Sequence, residues 1–285
     1  AQGCHPLAPS TCAYPFPSMF HLREDNSSPT GYRVALSAEA LPSGVTKTEE
    51  FLAHFNVADG FSVSTPWLMI FPDKELDSRS LPSVMNLAAS IEPSSSVQVI
   101  DRETGERFPT WAELDFRAES PEEQTLIIRP MVGLPFGRRV AVVITDNLRN
   151  ADGSTPLTPT AFGALRDGLT TDSETIEAMR DEYEELFQFL SEHDLPRERI
   201  LFAWESVTFS DEFALSRLQP LVEVAHAQVV ATPPDFVIDE CFSNDEDDQL
   251  AHGCAPAESD DTPLSPFTWR RLRGHVTLPS FISSD

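Results

Sequence analysis

The stretch Arg138-Arg139-Val140-Ala141-Val142-Val143-Ile144-Thr145 decides how the rest of the chain is read. Its β-branched side chains are stiff and favour an extended backbone, and neither glycine nor proline interrupts it. It runs into Asp146-Asn147-Leu148-Arg149-Asn150-Ala151-Asp152-Gly153, whose Asx and Gly content demands tight turning. Working outward, Thr125-Leu126-Ile127-Ile128-Arg129 is equally rich in β-formers. Val97-Gln98-Val99-Ile100-Asp101 leads through Arg102-Glu103-Thr104-Gly105 to Arg107-Phe108 and reads as a hairpin. Trp67-Leu68-Met69-Ile70-Phe71 is an apolar run stopped by Pro72. Short strands with turns between them, and no long helix before residue 170, predict an antiparallel β-sandwich.

After residue 170 the periodicity changes. Thr171-Asp172-Ser173-Glu174 has the form of a capping box. Ile176, Met179, Tyr183, Leu186, Phe187 and Leu190 follow at spacings of three and four, one face of an amphipathic helix that ends before Pro196. Ile200, Phe202 and Trp204 alternate as in a strand. Ser210-Asp211 starts a second helix carrying Phe213, Leu215, Leu218, Leu221 and Val224, with Pro220 as a kink and Pro233-Pro234 as its end. A last strand, His275 to Pro279, follows Arg270, Arg271 and Arg273. At the other end, residues 1–35 are rich in Pro and Ser and predict an extended segment lying across another surface, and Thr48 to Phe55 is short and helical or irregular. The expected organisation is therefore an extended segment over 1–47, a β-sandwich over 48–168, a helix-strand-helix connector over 169–234, and an acidic loop with one strand over 235–285. The fold class is mainly β with α.

The 285 residues include 46 acidic and 20 basic side chains, a net charge of −26. Hydrophobic residues make up 40%, enough to bury a core, which excludes wholesale disorder. The charge repels phosphate backbones and anionic lipid, which argues against nucleic-acid or membrane-surface binding. No apolar run approaches the roughly 20 residues of a membrane-spanning helix. Only Lys47 and Lys74 are lysines among the basic residues. An arginine bias suits fixed carboxylate pairing, although genome composition alone also produces one.

Four cysteines fall into two close pairs, Cys4 with Cys12 and Cys241 with Cys254, which fits two short disulfide loops and an oxidising compartment. Zinc competes, because His5 and His252 lie nearby, but the spacing is not that of a zinc motif. Gly3-Cys4 also has the form of a lipid-attachment site, with poor residues before it. From Asp239 to Asp261 nine acids occur with no Lys or Arg. Hard oxygen donors so crowded invite calcium, with Asp245, Asp247 and Asp248 as candidate ligands, and a solvated acidic loop as the competing reading. There is no G-x-S-x-G elbow, since Gly60-Phe61-Ser62-Val63-Ser64 lacks the second glycine, and no P-loop, G-x-G-x-x-G, H-E-x-x-H or C-x-x-C. No catalytic residue is assigned.

Several segments together carry a resemblance. Cys4-His5-Pro6-Leu7 through Cys12, then Pro15-Phe16-Pro17-Ser18, resembles the mature start of secreted or surface-anchored bacterial lipase-like proteins of the myxobacterial type. Asn56 to Pro66, with Asp59-Gly60-Phe61-Ser62 before the first core strand, is similar to their pattern. Asp101 to Gly105, Ile128-Arg129-Pro130 and Arg139 to Gly153 resemble a bacterial immunoglobulin-like module, and the helix from Glu174 with Leu201-Phe202-Ala203-Trp204-Glu205 resembles the connector after it. The resemblance implies an immunoglobulin-like sandwich that precedes an α/β-hydrolase domain carrying the serine nucleophile, with Gly274 to Pro279 at its first strands. It implies a non-catalytic accessory region, exported to the cell surface, periplasm or medium. Its partner would be that hydrolase domain or a processed chain bearing it, against which the Phe- and Pro-rich N-terminus would pack. A structural subunit of a surface assembly, binding other surface proteins through its sheet edges, is the alternative expectation.

Overall fold

The computed structural model describes residues 4–9, 13–38, 49–71, 74–120, 123–216, 218–257 and 264–277. In chain order the elements are β1 (Leu22–Glu24), β2 (Tyr32–Val34), α1 (Glu49–Phe55), β3 (Trp67–Ile70), β4 (Val97–Asp101), β5 (Thr110–Leu114), β6 (Thr125–Pro130) and β7 (Arg139–Thr145). Then come α2 (Thr160–Arg166), α3 (Glu174–Ala178), α4 (Arg180–Glu192), β8 (Ile200–Val207), α5 (Asp211–Ser216), α6 (Leu218–Ala231), β9 (Phe236–Ser243), α7 (Glu246–His252), β10 (Ala255–Pro256) and β11 (Arg270–Val276). The fold mixes helix with several antiparallel sheets and divides into two compact units, Ala1–Ala214 and Leu215–Asp285.

The N-terminal unit is built on two three-stranded antiparallel sheets, ordered β3-β6-β5 and β4-β7-β8. Their burial differs in kind. In the first, Trp67 and Met69 on β3 and Leu126 and Ile128 on β6 are buried while their neighbours are only half-buried, the alternation of a sheet with one face on the core. In the second, every residue of β4 and β8 is buried, and so is β7 from Val140 onward, so this sheet is covered on both faces. The alternation expected for β8 is therefore absent. The helices supply part of the cover: Phe162 of α2 stacks on Phe202 at 4.8 Å, and the buried Tyr183 hydroxyl of α4 donates to the Ala203 carbonyl at 3.2 Å. Trp67 Nε1 donates to Ser206 Oγ at 3.0 Å and ties the two sheets together. Both sheets and α2–α4 share one hydrophobic cluster.

Three expectations need correction. The sheets do not end at residue 168, because β8, expected in the connector, pairs with β7 along its length and supplies the third strand of the second sheet. The helix after Thr171 is two pieces broken at Met179, and Ser173 rather than Thr171 is its N-cap, with Oγ accepting from the Ile176 N–H. Thr171 instead donates its N–H and hydroxyl to the Glu177 carboxylate. The helix over Thr160–Arg166 was not expected; Phe162 and Leu165 anchor it. The break in the second predicted helix falls between α5 and α6, and Pro220 sits in the first turn of α6, where a missing N–H costs nothing.

The described part of the N-terminal segment, which holds β1, β2 and a 3-10 turn at Met19–His21, meets this chain's own sheet. Phe16 forms an antiparallel bridge with Leu68 on β3, and Trp204 Nε1 donates to the Pro17 carbonyl at 2.9 Å. The other outer strands are met in the same way. Phe108 N–H bonds Val99 on β4, Ala112 N–H on β5 bonds Pro82, and Phe61 bridges Thr208 beyond β8. That last approach explains the Asp59-Gly60-Phe61 segment: a Cβ on Gly60 would stand 2.6 Å from the Phe209 nitrogen, so only glycine fits. Asp59 Oδ1 accepts from the Ser210 N–H at 3.0 Å and fixes the same junction.

The C-terminal unit is a three-stranded sheet ordered β10-β9-β11 over a small cluster of Phe242, Ala257 and Leu264. Leu278 and Pro279 of the predicted last strand lie outside the described residues; β11 itself begins earlier, at Arg270. No residue of α6 is buried, although Leu218, Leu221, Val222, Ala225 and Val229 form an apolar stripe. Phe236 (71% exposed), Ile238, Leu272 and Val276 are open on the strands.

Candidate functional site

The most enclosed polar chemistry lies around Glu205 in the N-terminal unit. A lone carboxylate in the apolar run of β8 is only 5% exposed and requires partners. Two arginines supply them. Arg102, in the turn after β4, donates from Nε to Glu205 Oε1, and Arg139, opening β7, donates from Nη2 to Oε2 at 2.5 Å. The same Arg139 nitrogen reaches Glu182 of α4 at 2.6 Å, and the Arg102 guanidinium lies over the Phe189 ring at 4.2 Å. Burial pushes the Glu205 carboxyl up from the usual carboxylate range, against the pull of Arg139 and Arg102. The four groups sum to zero charge, and guanidinium forks serve two carboxylates in fixed geometry. The arginine bias therefore has a structural use at this point.

Beside this cluster is a cavity of about 330 Å³, between the N-terminal segment, α3–α4 and β8. His5, Ser18, Tyr183, Trp204 and Glu205 form its buried lining, with Glu182 at its edge. Two imidazoles belong to this region. His5 Nδ1 accepts from the Leu7 N–H at 3.2 Å, and His21 Nδ1 accepts from the Ser18 N–H at 3.3 Å. Each ring therefore carries its proton on Nε2 when neutral. Burial lowers the pKa of His5 to about 3, with a further push from His21, and burial lowers that of His21 to about 4. Both are neutral at physiological pH.

Ser18 Oγ lies 3.0 Å from His21 Nδ1, the distance of a nucleophile and its base. The arrangement does different work. His21 Nε2 is buried and has no partner among the described residues, so none of their carboxylates holds a positive charge there, and a ring with a pKa of about 4 is a weak base at neutral pH. The pair closes a capping box on the short 3-10 turn Met19–His21 and so fixes the N-terminal segment against Trp204.

The residues singled out from sequence lie elsewhere. Cys241, in β9, is bonded to Cys254 across α7. The segment between them is thus a strand end and a helix rather than an open acidic loop. Asp245 is the N-cap of α7, its side chain accepting from the N–H groups of Asp247 and Asp248. Asp248 is buried and engaged by Arg270, whose Nε donates to Oδ2 at 2.9 Å, and by His252 at 3.0 Å. Arg270 holds the Asp248 carboxyl below the usual carboxylate range. Asp247 is exposed. Two of the three carboxylates are thereby occupied by protein donors, and among the described residues no three His, Cys, Asp or Glu side chains gather as metal ligands. Cys4 is itself disulfide-bonded, and Cys12, its expected partner, lies outside the described residues.

Glu205, Arg102, Arg139 and the two histidines were missed as a group from sequence. The available signal was the isolated Glu205 within Ile200 to Val207, since a charge in an all-apolar strand must find an opposite charge. Its partners lie 103 and 66 residues away, and no local pattern points to them. No helix among the described residues is long and apolar enough to cross a membrane. Compared with known proteins, the chain matches no family model, and no curated protein is significantly similar to it.

Proposed function

We propose that this chain is a non-catalytic accessory region of an extracellular or cell-surface lipase- or esterase-like hydrolase, and that it packs on the α/β-hydrolase domain of that enzyme. The observation that carries the reading is the C-terminal unit. Its helix α6 buries nothing, and its strands β9 and β11 leave Phe236, Ile238, Leu272 and Val276 open. A 14-residue helix without tertiary packing is marginal in water, and apolar patches of this kind mark a contact surface. The resemblance of Gly274 to Pro279 to the first strands of a hydrolase domain supplies the partner.

The N-terminal unit takes the role of an immunoglobulin-like scaffold in this proposal. Lettering β3 to β8 as B to G puts B-E-D in one sheet and C-F-G in the other, an order that supports the immunoglobulin-like reading, with α2–α4 as an insertion before the last strand. Its outer strands are each met by a segment of the same chain, which favours docking through the C-terminal unit over docking through sheet edges. The Cys241–Cys254 bond fits an oxidising compartment, hence export.

Intact-mass measurement of the native protein, with sequencing past Asp285, tests this. The proposal expects a G-x-S-x-G segment downstream or on a tightly bound chain, and no p-nitrophenyl ester hydrolysis by the 285-residue chain above a heat-killed control. A native chain with neither, or an active 285-residue chain, contradicts it.

A further inference from the structure

The cavity beside Glu205 has the composition of a binding site rather than a packing defect. About 330 Å³ is at the lower end of the range for small-molecule pockets. Phe20, Met179, Leu186 and Trp204 give it apolar walls, the usual lining of such a site. Its charged lining among the described residues is Glu205 and Glu182, and no Lys or Arg joins them there, so an anion would lose its water and find no free positive partner. A cation would gain little, because both carboxylates already accept from Arg139. Among its buried lining groups, His5 has a nitrogen to spare. His5 is 2% exposed, its Nδ1 accepts from Leu7, and its Nε2–H has no acceptor among the described residues. An imidazole N–H that no described group accepts is open to a water or a ligand oxygen.

We propose that this cavity binds a small uncharged molecule, with an apolar body of about one aromatic ring and one carbonyl oxygen that accepts from His5 Nε2–H. Aromatic and thioether walls take the ring, the imidazole orients the carbonyl, and the cost of burying a charge without a free partner disfavours acids and amines alike. The inference is independent of the accessory-region reading, since every residue it uses belongs to the N-terminal unit.

Titration calorimetry of the whole 285-residue chain with acetophenone, toluene, benzoate and benzylamine as probes tests it. Acetophenone is expected to bind one-to-one, and toluene, which lacks the acceptor, about tenfold more weakly. Benzoate is expected to be weaker than toluene. His5→Phe should erase the difference between acetophenone and toluene. Because His5 is itself in the packed interior, Ala178→Trp at the exposed rim is the second variant, and it should abolish binding of every probe while leaving the fold intact. Absence of saturable acetophenone binding overturns the proposal. So does benzoate or benzylamine binding as tightly as acetophenone, or acetophenone binding untouched by Ala178→Trp.

Discussion

The two units of this chain solve the same problem to different degrees. Up to Ala214, strands and helices converge on one cluster in which Trp67, Phe162, Phe202 and Trp204 are almost wholly buried. From Leu215, a sheet and two helices bring Phe242, Ala257 and Leu264 together among the described residues and leave long apolar side chains in water. Both units use disulfide or ion-pair ties, so the difference is not in cross-linking. It is in how much apolar surface each removes from solvent. This exposed apolar surface is what supports the proposed docking of the C-terminal unit on a partner.

The largest effect that could break this contrast is a pair of truncations. Phe202→Ala should cost about 3–5 kcal/mol in chemical denaturation, the usual range for emptying a packed aromatic site. Leu221→Ala on α6 should stay within about 0.5 kcal/mol, as for a surface change. Equal costs would erase the distinction drawn between the units.

Glu205→Ala comes next. It leaves Arg102 and Arg139 without their shared carboxylate, and breaking a buried pair from one side costs about 3–5 kcal/mol. Replacing Glu205, Arg102 and Arg139 together by Leu, Met and Met should recover most of the loss, which separates the penalty of orphaned charges from any net worth of the cluster.

Reduction of Cys241–Cys254 sharpens the comparison from the other side. The bond spans 13 residues, and loosening such a loop removes about 3 kcal/mol in the chain-entropy description. Limited proteolysis after mild reduction should cut within 236–257 while the N-terminal unit stays intact. Simultaneous loss of both units would show them to be one cooperative body.

Acid acts on the N-terminal unit. The folded pKa values of His5 and His21 are depressed to about 3 and about 4, below the ordinary 6.5. The unfolded chain therefore binds more protons than the folded one as pH falls from 6.5 to about 4, and stability falls with it. Each imidazole contributes a slope of about 1.4 kcal/mol per pH unit inside that window and nothing above it. His21→Phe should flatten the pH dependence by about one proton between pH 6 and 4; an unchanged slope would place the acid sensitivity elsewhere.

How much of this was legible in the sequence depended on whether the signal was local. Val140 to Thr145, Leu126 to Ile128 and Val97 to Asp101 announce themselves because β-branched runs bounded by turn residues have few other uses. The spacing of Tyr183, Leu186, Phe187 and Leu190 did the same for α4. By contrast, Thr110–Leu114 carries a Glu and an Ala and becomes a strand because β6 pairs with it. Phe236–Ser243 hides behind Pro233-Pro234 and its own acids. The covering of β8 on both faces, the partners of Glu205 and the cavity beside it are products of tertiary arrangement. The density of acids from Asp239 to Asp261 does not show that Asp245 caps a helix and Asp248 holds an arginine.

Amide hydrogen exchange over α6, compared between the 285-residue chain and the native protein isolated from its source, tests the central claim most directly. The account predicts that amides of residues 218–231 exchange nearly as fast as an open peptide in the 285-residue chain, while β7 and β8 stay protected, and that in the native protein 218–231 become protected as well. Protection of 218–231 that is already full in the 285-residue chain, or that is the same in both samples, would contradict it.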